Sequence, residues 1–217
     1  MWSRGSERSL AESGTMDSEE MEILFATGNS HKVSEAAKTL AQFGHSVSQL
    51  NIDGHIPEIQ ELQADGIEEV ALSKIMQARE LISGTELEKS AILVEDSGIF
   101  IESLDGFPGP YSSYVERTIG LRGILNLLRT EGNRRAEYRA VAIISIEGET
   151  ISSTGVCPGT ISEKISGDLG FGYDPIFIPE GGDGRTCGEL SPVEKSEISH
   201  RGRALKALSE ALNPPSK

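Results

Sequence analysis

The chain has 217 residues, of which 37% are hydrophobic, so it can bury one large core or the cores of two small lobes. Its formal net charge of −14 argues against non-specific binding to nucleic acid or to an anionic membrane, and no apolar run approaches the roughly 20 residues that span a bilayer. The two cysteines, Cys157 and Cys187, form no Cys-x-x-Cys pair, which indicates neither a zinc site nor a disulfide framework and favours a cytoplasmic protein.

The beginning of the chain predicts no packed structure. Residues 1–20 carry mixed charge, serine and glycine and have almost nothing to bury, so we expect a disordered N-terminal extension in which Trp2 is exposed. The apolar pattern of a folded domain begins at residue 21. This extension is therefore expected to have no part in the fold.

The first predicted unit is a strand, a tight turn and a helix. Ile23–Ala26 is a short apolar strand, and apolar residues at helical spacing follow the turn at positions 33, 36, 37, 40 and 41. Free N–H groups at the helix N-terminus, with Gly28 and Lys32, make a candidate phosphate cradle. The alternative is that Asn29 or Ser30 caps the helix and that Lys32 is solvated. Neither of the two usual glycine-rich nucleotide motifs follows any strand.

A second strand and helix are predicted next. His45–Ile52 indicates a strand, and the following proline-containing loop carries Glu58, which either presents a carboxylate to a metal or is solvated. Asp65 and Glu68 resemble a capping box. The helix after them has an apolar stripe with Lys74 beside it, and the starting expectation for such a lysine is a solvated head group. The stripe consists of Ile67, Val70, Ala71, Ile75, Ala78 and Ile82.

The central stretch is a buried strand, Ala91–Val94, that is predicted to end in the polar run Glu95, Asp96, Ser97 and Gly98. Strand ends are where α/β enzymes place their chemistry. Two adjacent carboxylates repel each other, so this pattern favours a divalent cation or a positive substrate group between them. The alternative is a solvated turn after a core strand.

Three further elements follow the central stretch. Gly106–Tyr111 predicts a rigid loop, Ile119–Leu128 predicts a helix, and the apolar alternation of 138–146 and 149–156 predicts a β-hairpin in a second sheet region. Three nearby arginines either reach phosphates or form a solvated charged face. They are Arg134, Arg135 and Arg139.

The last informative block combines aromatic rings with cationic side chains. Gly170–Phe177 places rings between glycines, which offers a flat surface for a stacked base, and the donors Lys195, His200 and Arg201 follow it. Taken alone, His200 would be interpreted as a packed histidine. A final helix is marked by Ala204, Leu205, Leu208 and Leu212.

Five motifs in chain order, spanning about residues 22–212, resemble those of the inosine triphosphate pyrophosphatase (Ham1-like) family. They are Phe25–Lys32, Glu95–Gly98, Gly106–Ser112, Gly170–Pro175 and Ser199–Arg201. The resemblance implies an α/β fold of the ITPase/Maf-like type, with an elongated mixed central sheet flanked by helices and two lobes with an intervening cleft. It implies a single two-lobed domain over residues 21–213, usually in a homodimer. It also implies Mg²⁺-dependent hydrolysis of inosine and xanthosine triphosphates and their deoxy forms to the monophosphate and pyrophosphate, which cleans the nucleotide pool.

The resemblance also assigns roles to individual residues. Asp96 resembles the catalytic base and a metal ligand, Glu58 a second metal ligand, Ser97 a substrate contact and Lys74 a phosphate-side lysine. The triphosphate loop corresponds to Thr27, Gly28, Asn29, Ser30, His31 and Lys32. The base pocket corresponds to Phe171, Gly172, Tyr173, Asp174, Lys195, His200 and Arg201. The sequence departs from the family pattern near this pocket at Ser196 and at Cys187–Gly188.

The implied mechanism follows from charge. Lys32, Lys74 and Mg²⁺ would neutralise the triphosphate while Asp96 orients the attacking water, and Glu95 is either a further metal ligand or a residue that tunes Asp96. Two alternatives belong to other classes of protein. One is a nucleotide-binding sensor without turnover. The other is a serine hydrolase that uses Ser97, His200 and Asp174, although the sequence lacks a G-x-S-x-G elbow.

Overall fold

The computed structural model describes residues 20–212. The predicted N-terminal extension lies outside these residues except for Glu20, and so does residue 213, the predicted end of the domain. The division into two lobes within 21–213 stays a prediction. Among the described residues, none of the helices has both the length and the apolar composition needed to cross a membrane.

The described residues form an α/β structure in which strands and helices alternate in the first half of the chain. The strands are β1 (Glu22–Phe25), β2 (Ser46–Gln49), β3 (Ala91–Ile101), β4 (Pro108–Gly109), β5 (Arg135–Ile146), β6 (Glu149–Ile161) and β7 (Phe177–Pro179). The helices are α1 (Ser30–Ala41), α2 (Ile67–Ile82), α3 (Ser112–Thr118), α4 (Gly120–Leu127), α5 (Pro192–Ile198) and α6 (His200–Leu212). Short 3₁₀ turns occupy Glu102–Leu104, Asp174–Ile176 and Cys187–Glu189.

The strands of the described residues make one mixed sheet of seven strands in the order β2-β1-β3-β5-β6-β7, with β4 paired to β3. The strand β1 pairs in parallel with β2 and β3, whereas β3, β5, β6 and β7 pair in antiparallel fashion. The predicted mixed sheet with flanking helices is therefore confirmed. The predicted hairpin is also confirmed, but the expectation of a second sheet region is wrong, because β5 pairs along almost the whole of β3 and continues the same sheet.

The central strand β3 is longer than predicted, and its side chains alternate between two helical layers. Ala91 and Leu93 pack with α1 and α6, whereas Ile92 and Val94 pack with α2. The strand does not end before Glu95, because β5 continues to pair with it as far as Ile101. The polar run therefore lies within a strand, where successive side chains point to opposite faces of the sheet.

The final helix packs unusually close to the sheet at Gly155 of β6. A Cβ atom at this position would overlap the carbonyl oxygen of His200 and the backbone of Ala204. The Ser153 hydroxyl also donates to the Ala204 carbonyl at 2.8 Å. These two contacts fix the start of α6 against β6, and this start carries His200 and Arg201.

Three local predictions are corrected by the structure. The helix predicted over Ile119–Leu128 is confirmed as α4, but the helix α3 immediately before it was not predicted; the two helices meet at Ile119 and Gly120, where Gly120 has a φ of 64°. The predicted capping box of Asp65 and Glu68 does not form, because α2 begins one residue later, with Gly66 at its N-cap and no side-chain cap. The rigid loop Gly106–Tyr111 contains the two-residue strand β4, and the second strand is only Ser46–Gln49.

Candidate active site

A cavity of about 590 Å³ gathers most of the residues that the sequence singled out. Its lining includes Thr27, Gly28, Asn29, Lys32, Glu58, Lys74, Asp96, Ser97, Phe171, Gly172, Tyr173, Asp174, Lys195, His200 and Arg201. Ser30 and His31 are not part of this lining. Segments that are far apart in the chain, from α1, α2, β3, α5 and α6, thus meet at one place.

The cavity lies where one edge of β3 is open. On this edge β1 pairs with Ala91–Leu93 and β4 pairs with Ile99 and Phe100, while β5 occupies the other edge. Residues 95–98 lie between these two partners and line the cavity. The polar run therefore faces a ligand space because its neighbours in the sheet are shorter than β3.

Glu95 faces the layer of α1 and α6, where two cations contact it. Its Oε2 lies 2.6 Å from Lys32 Nζ, and its Oε1 accepts from Arg201 Nε at 3.2 Å. Although burial raises the pKa of this carboxyl, Arg201 and Lys32 outweigh burial and hold the pKa far below its ordinary range. Glu95 is therefore a buried carboxylate with charge partners supplied by the protein.

Asp96 faces the opposite layer, where α2 presents Lys74. The Lys74 ammonium donates to Asp96 Oδ1 at 2.6 Å and to Glu61 Oε1 at 2.9 Å. Lys74 is buried, so the starting expectation of a solvated lysine is wrong. The interpretation that one cation sits between Glu95 and Asp96 is also wrong, because a period of two sends their side chains to opposite faces.

Burial has the largest effect on the pKa of Asp96, whereas neighbouring carboxylates outweigh its effect on the pKa of Lys74. Burial raises the pKa of the Asp96 carboxyl, and Lys74 counteracts only part of that effect. At Lys74, burial lowers the pKa, but the Asp96 and Glu61 carboxylates outweigh it and raise the pKa above its ordinary value. Lys74 is therefore a charged ammonium group.

The other end of the cavity surrounds the ring of Phe171. The Lys195 ammonium lies 4.6 Å from the ring centroid and the Arg201 guanidinium carbon lies 5.5 Å from it. The His31 ring stacks on Phe171 with centroids 5.5 Å apart. Asp174 Oδ2 fixes this end, because it accepts from the Phe171 backbone N–H and from Lys195 Nζ, both at 2.8 Å. Phe171 thus supplies an aromatic surface next to two cations.

Gly170 is required for this arrangement. Its φ is 77°, a left-handed conformation that glycine adopts without strain. A Cβ atom at this position would also overlap the Asp174 carboxylate. The glycine spacing that the sequence analysis singled out therefore holds Asp174 against the backbone of Phe171.

Tyr173 and His200 are both buried, and each is held by its own partner. The Tyr173 hydroxyl donates to the Ser112 carbonyl at 2.8 Å, so its ring belongs to the core more than to an open stacking surface. The His200 ring stacks on Tyr138 with centroids 4.5 Å apart and an interplanar angle of 6°. Burial, assisted by Arg201, holds the pKa of His200 well below its ordinary value. His200 is therefore a neutral imidazole at the cavity wall.

The start of α1 combines the two alternatives left open by the sequence. Asn29 caps the helix, because its Oδ1 accepts from the N–H groups of His31 at 2.9 Å and Lys32 at 3.3 Å. Those two N–H groups are therefore engaged by the cap, as the alternative with Asn29 expected, and the phosphate cradle stays a prediction. Lys32, however, is not solvated, since its ammonium group is held next to Glu95.

The cations of the cavity keep donors for a ligand. An ammonium group has three N–H donors, and Lys74 and Lys195 each donate two of them to carboxylates of the protein. Arg201 uses one donor each on Glu95, Glu35 and Ser97, out of five. Each side chain is therefore held in position while part of its hydrogen-bonding capacity remains available.

The described residues supply only part of the oxygen ligands that a divalent cation needs. Among the residues that the structure describes, no group of three or more His, Cys, Asp or Glu side chains is arranged to hold a metal ion. Glu58 is exposed at the cavity wall, and Asp96 Oδ2 is buried without a hydrogen-bond donor within the described residues. Carboxylate oxygens are the ligands that Mg²⁺ prefers, and it binds through one or two of them with water in its other positions. Asp96 and Glu58 fit that limited requirement.

Two acidic residues of the site were missed by sequence reasoning. Glu35, on α1, contacts Arg201 Nη1 and lies 3.3 Å from Lys195 Nζ. Burial raises the pKa of Glu35, but Arg201 and Lys195 outweigh it and lower the pKa. Glu61, next to Lys74, lies in the loop after Glu58. The available signal for Glu35 was its spacing of four residues from His31, which places both on one face of α1.

Several other residues that the sequence singled out lie outside the cavity. Arg134 donates to the carbonyls of Leu128, Ile161 and Ser162, and Arg139 pairs with Glu137, so these two arginines are structural and lie outside the cavity. Arg135 is exposed and also lies outside the cavity. The departures at Ser196 and Cys187–Gly188 do not line the cavity either.

The arrangement expected of a serine hydrolase is not formed by the described residues. Ser97 Oγ accepts from Arg201 Nη2 at 3.2 Å, and Asp174 is engaged by Lys195 and by the Phe171 backbone. His200 stacks on Tyr138. A relay in which His200 links Ser97 to Asp174 is therefore not present.

The described residues form a mixed sheet and a cavity that joins lysines near a helix N-terminus to an aromatic ring. This combination is typical of an α/β protein that binds a phosphorylated aromatic ligand. A model of the Ham1 family matches residues 23–211, and the chain belongs to this family. A protein of Methanopyrus kandleri named dITP/XTP pyrophosphatase is 46% identical over 191 residues, which are 88% of this chain and 95% of that protein. A protein of Pyrococcus horikoshii with the same name is 45% identical over 192 residues, 88% of this chain and 97% of that protein.

The fold of a solved relative agrees with this assignment. The structure of the Staphylococcus aureus Ham1 protein matches with a TM-score of 0.75 and 27% sequence identity. The match covers 90% of this chain and 100% of that one. The predicted family and its fold class are therefore confirmed.

Proposed function

We propose that this chain hydrolyses non-standard purine nucleoside triphosphates, such as inosine, deoxyinosine and xanthosine triphosphate, to the monophosphate and pyrophosphate. The observation that carries this proposal is the division of one cavity into two ends. One end places a buried carboxylate, Asp96, near two lysines, and the other places the Phe171 ring beside Lys195 and Arg201. The names of the relatives from Methanopyrus kandleri and Pyrococcus horikoshii support the same activity.

At the phosphate end, the cations reduce the repulsion between a triphosphate and an attacking water. Lys32 at the start of α1 and Lys74 on α2 enter the cavity from opposite faces of the sheet. Donors that are held in place before the substrate binds stabilise developing charge without a further cost of reorganisation. Thr27, Gly28 and Asn29 complete this end, where the turn before α1 allows close approach of phosphate oxygens.

Asp96 orients and deprotonates the attacking water. One of its carboxylate oxygens is fixed by Lys74, and the other is left without a donor in the described part of the chain. That second oxygen accepts a hydrogen bond from water and then takes its proton as the new P–O bond forms. Attack at the α-phosphorus breaks the bond to the bridging oxygen, so that pyrophosphate leaves and the nucleoside monophosphate keeps the oxygen of the water.

At the base end, Phe171 stacks on the purine and three side chains supply hydrogen-bond donors. Inosine and xanthosine carry an oxygen at purine C6. Lys195, neutral His200 and Arg201 face this oxygen. Adenine carries an amino group at the same place and would leave these donors unpaired. Ser97 contributes to the substrate position through its contact with Arg201.

Mg²⁺ is the cofactor that fits the donors of this cavity. Asp96 and Glu58 would hold it, because both present carboxylate oxygens to the same cavity. When bound, it supplies positive charge that stabilises a pyrophosphate leaving group. A homodimer, a two-lobed domain over 21–213 and a cytoplasmic location remain predictions from the family resemblance and the cysteine content.

The proposal is tested by incubating the protein with inosine triphosphate and Mg²⁺ and measuring each product. We expect one pyrophosphate and one inosine monophosphate for each triphosphate consumed. Release of orthophosphate would instead indicate a phosphatase, and binding without any product would indicate a sensor. Either result would overturn the proposed function.

A further inference from the structure

A continuous chain of ion pairs connects the two ends of the cavity, and Glu95 is its central member. Its Oε2 lies 2.6 Å from Lys32 at the phosphate end, and its Oε1 lies 3.2 Å from Arg201 Nε at the base end. The chain continues from Arg201 through Glu35 to Lys195. One carboxylate group therefore contacts cations that belong to two different parts of the candidate substrate site.

The environment of Glu95 makes these two contacts interdependent. Its side chain has no exposed surface, so water does not replace a cation that moves away. In such surroundings the attraction between opposite charges is stronger than at a protein surface, and a buried charge that loses its partner is costly. Weakening the contact with Lys32 thus leaves more of the carboxylate charge to act on Arg201.

We propose that Glu95 is a positioning residue that couples recognition of the polyphosphate at Lys32 to recognition of the purine base at Arg201. This inference rests on the proposed function and deepens it. A bound polyphosphate competes with Glu95 for Lys32, and Glu95 then holds Arg201 more firmly. Discrimination between bases at one end consequently depends on a lysine at the other end.

The position of Arg201 explains why this contact matters for the base. Its Nη1 and Nη2 groups contact Glu35 and Ser97, while Nε contacts Glu95, so three separate oxygens determine the plane of the guanidinium group. A planar group fixed in this way presents its remaining N–H donors in one direction. A change at Glu95 therefore changes the direction of the donors that face a base.

Lys32 and Lys74 provide a matched pair of variants for the test. Both lysines line the phosphate end, but Lys74 contacts Asp96 and Glu61 and does not belong to the Glu95 chain. Because the loss of Lys32 leaves the Glu95 charge to act on Arg201 alone, we expect Lys32→Met to raise the ratio of kcat/KM for inosine over adenosine triphosphate by about threefold or more, the size typical of coupling between residues in one network. Lys74→Met is expected to lower kcat/KM for both nucleotides by the same factor.

Glu95→Gln identifies the route of the coupling. In this background Lys32→Met should leave the nucleotide ratio unchanged, since the connecting charge has already been removed. Thermal unfolding checks that each variant is folded. If a methionine variant does not fold, Lys32→Gln and Lys74→Gln are compared in its place, because glutamine keeps a donor toward the neighbouring carboxylate.

The outcomes separate the coupling from the proposed function. Equal loss on both nucleotides in Lys32→Met or its glutamine replacement, with pyrophosphate still released from inosine triphosphate by the unmodified protein, would overturn the coupling and leave the proposed function standing. An unmodified protein that releases no pyrophosphate would overturn both. A raised ratio for the Lys32 variant alone supports the coupling, and a reduced ratio would overturn it.

Discussion

Lys74 Nζ lies 2.6 Å from Asp96 Oδ1, and the two side chains are only 10% and 7% exposed. This contact fixes one oxygen of the carboxylate, so that the second oxygen has a defined place at the cavity wall. A charged lysine that is already paired also cannot move freely into the space of the attacking water. The pair therefore orients Asp96 for its proposed role as the base.

The first prediction concerns this base. We expect Asp96→Asn to lower kcat on inosine triphosphate by on the order of 10² or more, because a positioned base and a metal ligand are lost together. The side-chain volume is nearly unchanged, so the variant should remain folded. Pyrophosphate release and a thermal melt are the measurements, with Asp65→Asn at an exposed position as the control. Near-normal turnover would reject the assignment of Asp96.

The second prediction concerns the purine base. We expect adenosine triphosphate to be a poor substrate, since a site that hydrogen-bonds one group rejects an analogue unable to pair with it by roughly 10⁴-fold. Guanine shares the C6 oxygen, so we expect a smaller penalty for guanosine triphosphate, arising at its 2-amino group. His200→Ala should narrow the ratio of kcat/KM for inosine over adenosine triphosphate. The fractional change in this ratio should exceed the fractional change in the melting temperature.

His55→Ala is the control for that variant, because His55 is exposed and lies outside the cavity. Values of kcat/KM for the three nucleotides decide the matter. Equal losses on inosine and adenosine triphosphate in His200→Ala would place His200 on the phosphates or in the fold and remove it from base recognition.

The third prediction concerns pH and stability. His200 is buried in neutral form, next to Tyr138 and among Arg201, Glu95, Lys195 and Lys32, and its pKa is well below the ordinary value. The unfolded chain therefore binds more protons than the folded one, so stability is complete above the unfolded pKa of about 6.5 and decreases as the pH falls below it. We expect His200→Gln to lose less stability than the unmodified protein between about pH 6.5 and 5, by up to about 1.4 kcal/mol per pH unit.

Denaturant unfolding at several pH values measures this difference. His55→Gln is the matched control, because His55 is exposed and lies outside the cavity. Burial also lowers the pKa of His45, but His45 is present in every variant and contributes equally. Parallel stability curves for the unmodified protein and His200→Gln would show that His200 is not held neutral by the fold.

Much of the fold could be predicted from periodicity. The apolar stripe of α2 was predicted residue by residue, and Ile67, Ala71 and Ile75 are all buried in the layer against β3. The hairpin of β5 and β6 was predicted from alternation and is only longer than expected. These elements follow from local patterns, because the residues that bury each face lie within the element itself.

The extent of β3 could not be predicted in the same way. Glu95 and Asp96 look like the end of a strand because isolated carboxylates are not buried. They are buried here because Lys32 and Arg201 contact one and Lys74 contacts the other, from three helices that are distant in the chain. Both lysines are recognisable as candidates in the sequence, but local patterns do not place Lys32 and Lys74 on opposite faces of one strand.

The same reasoning applies to the positioning residues. Glu35 lies on a helix face that also carries charged and small residues, so its sequence context does not separate it from a solvated glutamate. Its role depends on contacts with Lys195 and Arg201, which enter from α5 and α6. Candidate ligand-binding residues could thus be found from motifs, whereas the carboxylates that hold them were visible only in the folded protein.

In the proposed reaction a water held by Asp96 attacks the α-phosphorus, and isotope labelling shows where the oxygen of that water goes. The protein is allowed to hydrolyse inosine triphosphate with Mg²⁺ in water enriched in the heavy isotope of oxygen, and both products are analysed by mass spectrometry. We expect one heavy oxygen in the inosine monophosphate and none in the pyrophosphate. Heavy oxygen in the pyrophosphate, with unlabelled monophosphate, would place the attack at the β-phosphorus and contradict the proposed reaction.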